Sequence, residues 1–133
     1  MNLFKGVISG LESTDMMSRV KVDVAGTSFS AVVLETVETA PYLVVGGAIS
    51  VLFKETEVIL GKGISGKISL RNRGVAKVSK VERSPILTKV TMQHAAGSMV
   101  SVISTEGAAD IGIAAGDEIQ WFVKQNEISL ARG

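Results

Sequence analysis

The chain has 133 residues with 46% hydrophobic and 20% charged positions, the make-up of ordinary globular material and not of a disordered segment. It contains no cysteine, which excludes disulfides, thiolate metal sites and cysteine nucleophiles. Fourteen basic residues stand against 13 acidic ones, and only six aromatics are present, so neither the basic stripe nor the stacking platform of a nucleic-acid binder is available.

In chain order the residues read as strands. Lys5 to Gly10 forms a first strand, and the polar stretch Glu12 to Ser18 a turn. Arg19 to Val24 alternates, with Val20, Val22 and Val24 on one face and Lys21 and Asp23 on the other, the period of a half-buried strand. Gly26-Thr27 turns the chain, and Phe29, Ala31 and Val33 repeat the alternation on the way back, so Arg19 to Val33 reads as a hairpin. Glu35 to Leu43 breaks the period and predicts a short helical turn ended by Gly46-Gly47. Ala48 to Phe53 and Val58 to Leu60 are further strands. Gly61 to Lys67, with three glycines, reads as a linker.

The remainder repeats this order: Arg73 to Val81, Thr88 to Gln93, Met99 to Ile103, a helical stretch near Gly107 to Ile111, then Glu118 to Val123 and Ile128 to Leu130. Lys5-Gly6-Val7 recurs as Arg73-Gly74-Val75, and Lys21-Val22 as Lys89-Val90, 68 residues on. From Phe29 the spacing is 70, and Lys54-x-x-Glu57-Val58-x-Leu60 is answered by Lys124-x-x-Glu127-Ile128-x-Leu130. The chain is therefore read as two copies of one module, residues 1–66 and 67–133, with two small insertions in a turn between the two spacings. Five short strands and one helical interruption per copy predict an all-β architecture of two tandem five-stranded Greek-key barrels of the OB type. The longest uncharged run, Thr39 to Phe53, is too short to span a membrane and is broken by Pro41 and two glycines. With no leader pattern at Met1 to Leu11, the expected location is the cytoplasm.

Between the copies lies Ser69-Leu70-Arg71-Asn72. In an extended chain Ser69 and Arg71 share one face, where a hydroxyl and a permanently charged fork of donors can converge on one oxyanion. The charge distribution agrees. Residues 1–66 hold five Lys or Arg against seven acids, whereas residues 67–133 hold nine against six. His94, the one histidine, sits in a hairpin turn, and no nucleophile or carboxylate pair stands out.

Together with Val102-Ile103-Ser104-Thr105-Glu106, the loop Ile111 to Glu118 and Phe122-Val123-Lys124, this motif resembles the molbindins, tandems of two Mop (TOBE-type) domains that bind molybdate or tungstate. The resemblance implies one OB-like barrel per copy, a homotrimer of the tandem, and oxyanion sites between domains. It implies a storage and homeostasis role without catalysis, the metal being held only as its oxyanion. An anion-sensing module of a transcription regulator or transporter ATPase is the alternative. Carried over by position, Ser69, Arg71 and Lys124 become the anion ligands, Ser104 stands where the family has threonine, and Asn72 buttresses the turn. The first copy departs from the pattern: Met1 and Leu3 fall at the places of Ser69 and Arg71, Leu34 at that of Ser104, and Glu55 follows Lys54. Only the second copy is expected to make a complete site.

Overall fold

The computed structural model describes residues 1–132. Ten strands and one helix follow one another as β1 (Asn2–Ser13), β2 (Ser18–Val24), β3 (Thr27–Val33), β4 (Ala48–Phe53), β5 (Ile59–Gly61), β6 (Asn72–Arg83), β7 (Leu87–His94), β8 (Gly97–Ser104), α1 (Thr105–Ile111), β9 (Glu118–Val123) and β10 (Ser129–Arg132). They form two antiparallel five-stranded sheets, in the orders β10-β4-β1-β2-β3 and β5-β9-β6-β7-β8. In each sheet the two end strands come alongside one another, β10 by β3 and β5 by β8, which curls the sheet around its core. The predicted Arg19–Val33 hairpin is present, with Val20 opposite Ala31 and Val22 opposite Phe29, all four buried.

The sheets do not divide the chain where the sequence repeat does. β5, from the first copy, pairs with β9, so that Leu60 lies opposite Trp121. β10, from the second copy, pairs with β4, so that Leu130 lies opposite Val51. Each sheet is thus completed by the last strand of the other copy.

Registers also correct the repeat spacing. Ile8 pairs with Val22 and Val78 with Met92; Asn2 pairs with Phe53 and Asn72 with Val123; the irregularity at Ile8/Gly10 recurs at Val78/Lys80. Equivalent residues stand 70 apart throughout, and no insertion separates the copies. The 68-residue matches near the start are a slip of two. Side chains alternate with period two along a strand, so such a slip preserves the buried and exposed pattern and goes unnoticed in sequence.

The helical turn predicted for Glu35 to Leu43 forms only hydrogen-bonded turns, such as Ala40 N–H to Thr36 O at 2.8 Å, whereas its counterpart α1 is a helix. Ser104 caps α1 by accepting from Gly107 N–H at 2.9 Å. In the first copy Leu34 replaces that cap, Pro41 stands at the place of Ile111, and Thr36, Val37 and Thr39 are stiff β-branched residues.

One apolar core runs through both sheets, joined by aromatic rings. Phe29 on β3 stacks on Trp121 of β9 with centroids 5.7 Å apart, and Phe4 lies 5.5 Å from His94. The cross-strand pair that is Phe4 and Val51 in one sheet is Gly74 and Trp121 in the other. A Cβ on Gly74 would come within 2.9 Å of the indole, so the large residue has changed strands and glycine makes room for it.

Candidate functional site

Two matching junctions tie the sheets together, each built on a buried asparagine. Asn72 Nδ2 donates to Ser30 O at 2.8 Å while its Oδ1 accepts from Ser30 N–H at 2.7 Å. Asn2 does the same to Val100, with both bonds at 2.8 Å. An asparagine side chain offers the donor and acceptor of a backbone amide, so each behaves as one further residue pairing with the opposing strand. At the Asn72 junction Gln125 Nε2 also donates to Ser30 Oγ at 2.7 Å.

This clamp fixes the start of β6. Asn72 pairs with Val123, so the same antiparallel register carries Arg71 to the position beside Lys124, just past the end of β9. Arg71, Lys124 and Ser69 are all exposed, but Ser69 lies in a bend before β6, so the extended run from Ser69 to Arg71 expected from the sequence is not formed. The Arg71 guanidinium has one weak internal contact, to Ile68 O at 3.4 Å, and remains open to an incoming ligand. The two side-chain hydrogen bonds of Asn72 both go to Ser30 on β3, across the seam between the sheets and not to the turn beside it.

Ser104 does not join this group. It ends β8, caps α1, and lines a cleft with Thr56, Ile59 and Asp110. β8 packs against the turn after Lys54, where Ser101 Oγ donates to Val58 O at 2.8 Å. The turn after Lys124 packs instead on β3 through Gln125 and Ser30. Within one chain, Ser104 therefore lies by the Asn2 junction, whereas Arg71 lines the Asn72 junction and the register sets position 124 at the same strand end. The loop before β9 is pinned separately: Asp117 accepts from Lys62 Nζ at 3.0 Å and from Ala114 N–H at 2.8 Å, bonds that hold its carboxyl below the usual range.

Next to Arg71 lies a polar depression of about 400 Å³ that the sequence motif alone does not reveal. Arg19 and Lys21 reach it from β2, Ser28 and Ser30 from β3, Arg71 from just before β6 and Arg73 from within it. The sequence signal was the outward face of β2, which alternates basic side chains with buried valines; nothing local says that this face meets β6. The equivalent positions at the other junction are Lys89, Thr91, Ser98, Val100, Met1 and Leu3, with Glu55 in place of Gln125. Register thus sets Met1 against Arg71 and Leu3 against Arg73. There the Met1 amino group already lies 3.4 Å from Glu55.

The folded chain is a tandem of two OB-like barrels that exchange their last strands, with an unequal charge distribution at the two seams. The same fold is found in the crystal structure of the cytoplasmic molybdate-binding protein ModG with molybdate bound, at a TM-score of 0.91 and 23% identity, covering 99% of this chain and 96% of that one. In sequence, the chain is 29% identical over 133 residues to the molybdenum transport protein ModE of Herbaspirillum seropedicae. That alignment takes in 98% of this chain and 49% of ModE, so the chain spans about half the length of the curated relative it matches. No protein-family model matches the sequence. Among the described residues no helix is long and apolar enough to cross a membrane, and no group of three His, Cys, Asp or Glu could hold a bare metal ion.

Proposed function

We propose that the chain binds molybdate or tungstate at the Asn72 junction, through Ser69, Arg71 and Lys124, and catalyses no reaction. The observation that supports this reading is the register of β6 on β9, which carries positions 71 and 124 to the same end of the strand pair, next to the clamp that Asn72 makes. A tetrahedral dianion needs several convergent donors, and two cations with a hydroxyl spread its charge without overcommitting one partner. The likeness to ModG and ModE supports the choice of oxyanion, and the cytoplasmic setting of ModG supports the same compartment here.

The role that follows is storage and buffering of the oxyanion, by a homotrimer in which exposed apolar side chains such as Leu34, Ile86 and Leu87 are covered. In such an assembly, Ser104 of a neighbouring copy supplies the hydroxyl that it cannot supply within its own chain. The second reading, an anion-sensing part of a regulator, is supported by the match to half of ModE. Native mass spectrometry with and without molybdate tests the proposal directly. The expected result is a trimer that gains discrete molybdate masses; a monomer that gains none with either molybdate or tungstate would overturn it.

A further inference from the structure

We propose that the depression between β2, β3 and β6 is a second anion site, one that takes a chain of linked tetrahedral oxyanion groups of the di- or triphosphate class. Four cations line it, Arg19, Lys21, Arg71 and Arg73, and no carboxylate does. Among the described residues, Lys21 and Arg73 form no ion pair and donate no side-chain hydrogen bond. Arg19 meets Glu12 at 3.2 Å, an exposed contact of the kind that contributes little. Like charges gathered around one depression repel one another, and a polyanion turns that repulsion into attraction.

Size and donor layout favour a linked anion over a single one. The depression is open to solvent, and its volume of about 400 Å³ is larger than one five-atom oxyanion fills. The cations arrive from two sides, β2 and β6, with the Ser28 and Ser30 hydroxyls between them on β3. Ser30 Oγ accepts from Gln125 and so keeps its own hydrogen to donate, and Ser28 has no partner among the described residues. Asn72 holds the floor, since its clamp fixes β6 against β3. Three guanidinium forks and an ammonium around neutral donors suit phosphoryl groups in series.

The molecule supplies its own fold-safe control. At the equivalent positions of the other barrel, Leu3 stands for Arg73 and Thr91 for Lys21. The double variant Arg73→Leu, Lys21→Thr therefore installs side chains that the same register already accommodates, and it leaves Ser69, Arg71 and Lys124 untouched. Inorganic triphosphate, ATP, orthophosphate and molybdate are titrated into the full chain and the variant by calorimetry at fixed ionic strength, with Trp121 fluorescence reporting the fold. Expected are binding of triphosphate in preference to orthophosphate, a loss of about tenfold or more in the variant, and molybdate binding that does not change. Equal affinity for triphosphate and ATP supports recognition of the phosphate chain itself. No triphosphate binding by the parent chain, equal binding by the folded variant, orthophosphate binding as tightly as triphosphate, or binding of ATP alone would each overturn the assignment. Loss of molybdate binding alone would instead count against the Lys124 reading.

Discussion

The Asn2 and Asn72 junctions share one scaffold and differ in nearly everything attached to it. Both clamp a neighbouring strand through two hydrogen bonds of 2.7 to 2.8 Å, and both sit where one barrel's first strand begins. Yet the Asn72 side carries Arg71, Arg73, Arg19 and Lys21, whereas the Asn2 side has Met1, Leu3, Lys89 and Thr91 at those places. The lesson is that the buried polar clamp secures the fold and the exposed positions around it set the chemistry. A duplicated barrel can then carry a cationic surface at one seam and a largely uncharged one at the other.

Removing the clamps would break the likeness most severely. Asn72→Ala leaves the Ser30 N–H and C=O without partners in a part-buried seam, and about 2–4 kcal/mol of stability is the expected loss. Asn2→Ala should cost the same at Val100. Urea unfolding followed by circular dichroism measures both, and an effect confined to one asparagine would mean that the seams are not mechanically equivalent. The next effect sharpens the difference. Arg71→Ala should weaken molybdate binding by about tenfold or more, the scale of a lost charged hydrogen bond. Lys54→Ala should change it little, because Glu55 beside it opposes an anion. Calorimetry at equal ionic strength compares the two, and equal losses would place the first copy among the binding elements.

The smallest effect concerns His94, which stands where the first copy has Val24. Its Nδ1 accepts from Ala96 N–H at 3.1 Å, its Nε2 is buried without a partner, and its ring lies 5.6 Å from Trp121. Burial lowers its pKa below the usual 6.5, so the folded protein takes up the proton less readily than the unfolded chain. Stability is therefore full above about pH 6.5 and falls as the pH drops below it. His94→Val should flatten this dependence, as read by thermal midpoints between pH 5 and 8 with Trp121 fluorescence as the probe. An unchanged slope would assign the pH response to other groups.

Much of the fold was legible because duplication and period-two alternation are strong signals: Arg19 to Val33 reads as a hairpin from its valines alone. The two-residue slip in spacing survived because Gly6 and Gly74 keep the same parity, and only backbone pairing shows that Gly6 answers Ala76. Strand exchange was invisible for a related reason. β5 and β10 are short and alike, and either sequence would suit either sheet edge. The Ser69 to Asn72 motif announced cationic donors, but Arg19 and Lys21 join them only through the packing of β2 and β3 on β6, which no local pattern encodes. Ser104 was assigned by its position in the family pattern, and the packing of β8 on the turn after Lys54 sends it, within one chain, to the opposite seam.

The exchange of β5 and β10 also orders events during synthesis. The edge of β4 that Ser129–Arg132 will cover stays bare until a segment roughly 80 residues downstream has left the ribosome. The second sheet meets no such delay, since β5 is made before every strand it joins. Nascent chains therefore complete the later barrel first, and the earlier one waits with an open edge that invites pairing with another chain. A chaperone that shields exposed strands would act on the first half of this protein, and shortening the chain by its last four described residues would make that exposure permanent.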